Sequence, residues 1–151
     1  MRPPRIPGFS YLGPYRYSLC FITNSRATLF TTHGIVQAAL REIQRTCDED
    51  EFALLAYCFM PDHVHLVTEG LSDRSDLQHW VKVTKQRVAF VYRTQFAIPL
   101  AWQQGYWERV LRSDENTNTI VRYVLDNPVR AGLVAKAEDY PFSGAKYWPE
   151  I

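Results

Sequence analysis

Two apolar, strand-forming runs lie back to back in the middle of the chain, with two residues between them. Residues 52–60 read FALLAYCFM, residues 63–69 read HVHLVTE, and Pro61-Asp62 joins them. Proline presets φ for a turn and cannot donate to a sheet ladder, while an Asp side chain bonds the nearby backbone. The segment therefore predicts a β-hairpin, and it commits the chain to an antiparallel sheet.

The remaining elements fall around that hairpin. Residues 1–14 carry Pro3, Pro4, Pro7, Gly8, Gly13 and Pro14 and read as an irregular arm. Residues 15–23 (YRYSLCFIT) are aromatic and β-branched, which predicts a first strand. Thr31 and Thr32 can cap a helix on which Ile35, Val36, Ala39, Leu40 and Ile43 recur at helical spacing, fading by Asp48. After a loop at 70–75, residues 77–96 predict a long helix with Leu77, Trp80, Val81, Val88, Val91 and Tyr92 near one stripe. Pro99 breaks the chain, and residues 102–111 (WQQGYWERVL) predict a fourth strand with Gly105 as a bulge position. Asp114 is placed to cap a last helix carrying Ile120, Val121, Val124 and Leu125, which should end or kink at Pro128. The order strand, helix, strand, strand, helix, strand, helix is a split βαβ, ferredoxin-like α+β plan with one added helix. Residues 15–151 are expected to form a single domain.

Composition narrows the partners. The 151 residues carry 17 Lys+Arg and 16 Asp+Glu, a net charge of +1, which is not the balance of a nonspecific DNA coat. The charge is nevertheless uneven: residues 77–107 contain no Asp or Glu but hold Lys82, Lys85, Arg87 and Arg93, while Asp48, Glu49, Asp50 and Glu51 cluster elsewhere. A basic surface on a neutral chain is enough to hold phosphates. Cys20, Cys47 and Cys58 are odd in number and lack a CxxC spacing; Cys20 and Cys58 sit in apolar runs and read as small buried hydrophobes in a reducing compartment. The longest apolar stretch, at 52–60, is too short to cross a bilayer, and the amino-terminal sequence has no apolar signal core. A cytoplasmic protein with no membrane partner is expected.

His63 and His65 stand two apart on a predicted strand, so both leave one face while Val64 leaves the other. Two neutral imidazoles on a rigid strand can bind one divalent metal, with a third ligand from elsewhere. The bland alternative is a pair of half-exposed strand histidines. Tyr123 and Asn127 are four apart on the last helix and share a face. An Asn127 oxygen could supply the third ligand and the Tyr123 phenol a nucleophile, although a tyrosine beside Val121 and Val124 is ordinarily a core residue with its hydroxyl outside. A phenol attacking a phosphodiester conserves the bond energy in a phosphotyrosine link, so resealing requires no ATP; no GxxxxGK[ST] phosphate loop occurs in the chain. Free tyrosine ionises near a pKa of about 10, so either a nearby cation must stabilise the phenolate or the phosphate must be made more electrophilic, and a metal does the second by polarising a phosphoryl oxygen.

The run MPDHVHLV followed by RYVLDNPVRAGLV resembles the single-tyrosine HUH transposases, and within them the REP-associated tyrosine transposases, relatives of the single-strand insertion-sequence enzymes. GPYRY near the start, EGLSDRSDL after the histidines and WQQGYWERVLR before the last helix extend the likeness over nearly the whole chain. The resemblance implies a ferredoxin-like HUH fold, a divalent metal (Mg²⁺ or Mn²⁺) on His63, His65 and Asn127, and Tyr123 as the nucleophile of a 5′-phosphotyrosine intermediate. Mobile relatives often carry Gln where this chain has Asn127, one methylene shorter. The implied substrate is single-stranded DNA bearing a hairpin, cut beside the hairpin, by a monomer or a homodimer. Two imidazoles and an amide oxygen suit Mn²⁺ by ligand type, and either ion is expected to support cleavage.

Lys82, Lys85 and Arg87, with Arg112 and Arg130, are candidate phosphate contacts, each weighed against a solvated helix face. Arg2, Arg5, Tyr11 and Tyr15 of the arm could order on a hairpin or form a frayed terminus. Trp102, Tyr106 and Trp107 read as core and sheet-surface residues, and His33 and His79 as structural. Two rival functions stay open: a domesticated hairpin-binding protein without catalysis, and a metalloenzyme that hydrolyses through metal-bound water.

Overall fold

A computed structural model describes residues 6–113 and 115–146. β1 spans Arg16–Ile22, α1 His33–Asp50, β2 Phe52–Met60, β3 His63–Gly70, α2 Leu77–Phe96, β4 Trp107–Leu111, α3 Thr117–Leu125, α4 Asn127–Arg130 and β5 Ser143–Ala145. The strands form one sheet in the order β4-β1-β3-β2-β5, every neighbouring pair antiparallel. The first four strands with α1 and α2 are the expected ferredoxin-like core. The hairpin is β2 and β3, with Met60 paired to His63 across the Pro61-Asp62 turn.

Period-two alternation sorts side chains between the two faces of the sheet. Tyr17, Leu19 and Phe21 of β1, Phe52 and Phe59 of β2, and Val64 and Leu66 of β3 pack with Val36, Ile43, Trp80 and Tyr92 of α1 and α2. Ala56, Cys58, Met60 and Val67 leave the opposite face and pack with Val121, Val124, Leu125 and Tyr140. The added helix therefore makes a third layer across the sheet from α1 and α2.

The structure departs from the sequence reading in four places at this level. The fourth strand is shorter than residues 102–111. Gly105 takes φ +76°, Trp102 makes only an isolated bridge to Thr23, and Lys85 donates to the carbonyls of Gln103 and Gly105 at 3.2 and 2.6 Å. Carbonyls held by an ammonium from α2 are not pairing with β1, so the ladder begins at Trp107. The last helix breaks at Pro128, as expected, but Tyr123 and Asn127 do not share one helix: Tyr123 lies on α3 and Asn127 is the first residue of α4. β5 has no alternating pattern in Ser-Gly-Ala and was not anticipated. Asp114, expected to cap α3, lies outside the described residues; Asn116 is the cap and its side chain accepts from the Asn118 N–H.

The packed face carries the stability. Leu66 is fully buried on the central strand β3, whereas Leu71 just beyond that strand is 58% exposed. Leu66→Ala should cost about 2–5 kcal/mol in urea unfolding, and Leu71→Ala should stay within about 0.5 kcal/mol. Equal effects would show that the layer between sheet and α1/α2 is not the cooperative core.

Candidate active site

β3 is the central strand, paired on one side with β1 and on the other with β2, and its alternation sends His63 and His65 to the α3 face. The two rings lie 4.9 Å apart between centroids, at an interplanar angle of 85°. His63 Nδ1 sits 2.7 Å from Asp62 Oδ1. An ionised carboxylate can only accept, so Nδ1 carries the proton and Nε2 keeps its lone pair for a cation. Burial opposes ionisation of Asp62, but its bond to His63, together with Arg26, holds its carboxyl below the usual range. The turn residue thus orients the first imidazole of the strand that follows it.

His65 is deeper. Burial, followed by the nearby His63 and Arg130, pushes its pKa down to about 4. It is a neutral imidazole at physiological pH, the form a metal requires. Opposite it on β1, in register, is Cys20. The ligand atoms of Cys20, His63 and His65 all lie within 4.8 Å of one another. Burial pushes the Cys20 thiol up to about 12, against the pull of Arg26. Sequence reasoning treated Cys20 as a small hydrophobe. The signal that could have exposed it is the strand pairing, because residues directly opposite in an antiparallel ladder share a face.

A cleft of about 200 Å³ opens between this face and the added helices, and its walls include Cys20, His65, Trp107, Tyr123, Asn127 and Arg130. The structure thus brings together His65, Tyr123, Asn127 and Arg130 from three separate elements; His63 is outside the wall but adjoins His65. Tyr123 is 63% exposed, not a core residue, and the Arg130 guanidinium lies over its ring at 3.8 Å. α3 is anchored by Arg16 of β1, which donates to the Arg112 carbonyl at 2.6 Å, the Glu115 carbonyl at 3.2 Å and the Thr117 hydroxyl. At the other end Arg122 bridges Asp126 and Glu138, each at 3.2 Å. The donors fit a divalent cation: two imidazoles, one oriented by a carboxylate and one neutral by burial, with a carboxamide on the same cleft.

The other basic candidates scatter. Lys82, Lys85 and Arg87 lie on α2, across the sheet from the cleft. The Lys85 ammonium is engaged with the 103–105 loop and rides against the Phe21 and Trp102 rings, and Arg87 pairs with Glu49 and donates to Thr46 at 3.0 Å. Arg112 is exposed at the end of β4, its backbone N–H held by Glu115 at 3.0 Å. Trp107 is a sheet-surface residue lining the cleft, while Tyr106 is buried. His33 is exposed at the start of α1, and His79 is exposed with Asp50 at 3.8 Å. Of the arm, Arg2 and Arg5 lie outside the described residues, and Tyr11 is buried with its hydroxyl donating to Glu108 at 2.6 Å.

The pattern described as transposase IS200 like matches residues 13–127, most of the chain and all of the residues just assembled except Arg130. The chain belongs to the IS200-like transposase family. It is 28% identical over 126 residues to a REP-associated tyrosine transposase of Escherichia coli K12, covering 81% of this chain and 70% of that one. It is 26% identical over 125 residues to a candidate REP-associated tyrosine transposase of Haemophilus influenzae, covering 71% and 70%. The structure of a REP-associated tyrosine transposase bound to a REP hairpin superposes with a TM-score of 0.75 at 22% identity, covering 93% of this chain and 81% of that one. The resemblance read from the two motifs is borne out, as is the fold. Among the described residues no helix is long and apolar enough to cross a membrane.

The state of His65 has a stability consequence. Its pKa falls from an ordinary 6.5 to about 4 on folding. Between those values the unfolded chain binds the extra proton and the folded chain does not, so stability is full above pH 6.5 and declines as pH falls toward 4. Metal-free protein should lose thermal stability over that window, and His65→Asn should flatten that part of the profile. An unchanged slope in the variant would show that His65 is not the group responsible.

Proposed function

We propose that this IS200-like transposase nicks and rejoins single-stranded DNA beside a hairpin, with Tyr123 as the nucleophile. The observation that carries the reading is the shared cleft: an exposed phenol and a carboxamide on consecutive helices line it together with His65, whose ring adjoins that of His63.

The step follows from the groups present. The Tyr123 oxygen attacks the phosphorus of a phosphodiester in the cleft. The bond from phosphorus to the 3′-oxygen breaks, the phenolic proton ends on that oxygen, and a 5′-phosphotyrosine and a free 3′-hydroxyl result. Attack by a 3′-hydroxyl reverses these events and rejoins the strand without ATP. Arg130 fixes the ring against which it packs and presents its remaining N–H groups to a phosphate oxygen. His63, His65 and Asn127 would hold a divalent ion, Mg²⁺ or Mn²⁺, which supplies Lewis-acid polarisation of the phosphoryl oxygen. Asp62 keeps His63 in the tautomer that binds, and the buried neutral His65 stays a ligand at any physiological pH.

A hairpin substrate is favoured because the superposing structure is one bound to a REP hairpin, and both curated relatives are described as REP-associated. Arg112, at the end of β4 and leading into α3, is the candidate for contacting DNA that leaves the cleft. Lys82 and Arg87 would reach phosphates only on a separate track across α2. On this reading the protein is cytoplasmic and acts as a monomer or a homodimer.

Incubation of the full chain with hairpin-bearing single-stranded oligonucleotides and Mn²⁺ should yield a covalent protein–DNA adduct on a denaturing gel. Tyr123→Phe should abolish the adduct and reduce cleavage by at least about 10³-fold while hairpin binding changes little. Cleavage that persists without an adduct would instead support hydrolysis by metal-bound water. Binding without cleavage under Mg²⁺ or Mn²⁺ would support a hairpin-binding protein.

A further inference from the structure

We infer that Cys20 converts the histidine pair into a thiophilic metal site, in which the Cys20 thiolate, His63 and His65 together bind Zn²⁺. The inference rests on the reading of His63 and His65 as metal ligands and adds to it a second, softer class of ion that the same two imidazoles can hold.

The geometry comes from two adjacent strands. Cys20 of β1 stands directly opposite His65 of β3, and His63 lies two residues before His65 on the same face. Directly opposed residues hold their Cβ atoms about 4.5–5.5 Å apart. The sulfur and the two ring nitrogens lie within 4.8 Å of one another. An ion bonded to sulfur at about 2.3 Å and to nitrogen at about 2.0–2.1 Å in a tetrahedron brings such atoms to about 3.5 Å apart. Rotations of three side chains that already share a face close that gap.

The contrast with Cys58 shows that cysteine on this face does not suffice. Cys58 pairs with His65 from the other side, through β2, yet it is fully buried in the apolar cluster under α3 and is not among the grouped ligand atoms. Cys20 is only half-buried and lines the cleft. Among the described residues, Cys20, His63 and His65 form the group of His, Cys and acidic side chains that could converge on one ion.

Ligand chemistry then decides the ion. Imidazole and thiolate favour Zn²⁺ and Co²⁺, whereas Mg²⁺ and Mn²⁺ prefer oxygen donors. Binding replaces the Cys20 S–H bond with a sulfur–metal bond and releases one proton to solvent. The fourth position stays open to the Asn127 oxygen, water or a phosphate oxygen. Zn²⁺ held by Cys20 therefore competes with the harder ion that uses the same two imidazoles.

Co²⁺ titration of the full chain tests this, because a thiolate–cobalt bond gives an intense near-ultraviolet charge-transfer band that imidazole and oxygen donors do not. The wild-type chain should show the band, and Zn²⁺ should displace it. Cys20→Ser should lose the band and weaken Zn²⁺ binding by more than about tenfold, while Mn²⁺ affinity changes by less than about threefold. A charge-transfer band that persists in Cys20→Ser, or wild-type protein that binds Co²⁺ without one, overturns the role of Cys20 and leaves the histidine pair intact as a site. Failure of wild-type protein to bind any of the three ions overturns the histidine site as well. Should Cys20→Ser not fold, alkylation of the wild-type chain followed by peptide mass spectrometry decides the matter: Zn²⁺ must protect Cys20, and unprotected Cys20 refutes the assignment.

Discussion

Antiparallel pairing of β3 between β1 and β2 is the constraint on which both the fold and the site depend. A strand held on both edges cannot slip by one residue without moving its whole apolar set to the wrong face. Val64 and Leu66 are buried against α1 and α2, and that burial fixes His63 and His65 on the other side. The energy that folds the domain and the geometry that groups the imidazoles are two results of one register. The same register sets Cys20 beside His65, so the make-up of the donor group follows from strand pairing as much as from the HxH spacing.

The second face is built differently. Its apolar cluster, with Val121, Val124, Leu125 and Tyr140, is smaller than the one under α1 and α2, and polar straps supplement it. Arg16 gathers the segment between β4 and α3, and Arg122 ties α3 to the turn before β5. A layer held by a modest apolar contact and two guanidinium clamps leaves room between itself and the sheet. That room is the cleft, and it puts Tyr123 at the rim with most of its ring in solvent.

Much of this was legible in the residues, for reasons that differ by element. β2, β3 and α2 are apolar or periodic segments bounded by clear turn and loop signals, and their predicted bounds match to within a residue. The aromatic run from Trp102 predicts a strand five residues longer than β4, while the carbonyls of residues 103 and 105 accept from a lysine some twenty positions earlier and only the Gln103 N–H still bonds β1. β5 is invisible because Ser-Gly-Ala carries no pattern and forms only against Ala56, Tyr57 and Cys58 of β2. Spacing put His63 with His65 and Tyr123 with Asn127 on shared faces, and the family resemblance singled those pairs out from ordinary strand and helix residues. The position of Cys20 beside them could not be read from spacing, since only a tertiary register makes residues 20 and 65 neighbours. For the basic residues, charge counting missed that α2 covers the far face, where Lys85 and Arg87 are engaged with the protein itself.

The break at Pro128 has a mechanical corollary. The phenol and the carboxamide ride on different helical segments, joined at Asp126, which sits at φ −82° and ψ −3°. Tyr123 and Asn127 are therefore set by two backbone segments, and the torsions of Asp126 fix their spacing along the cleft wall.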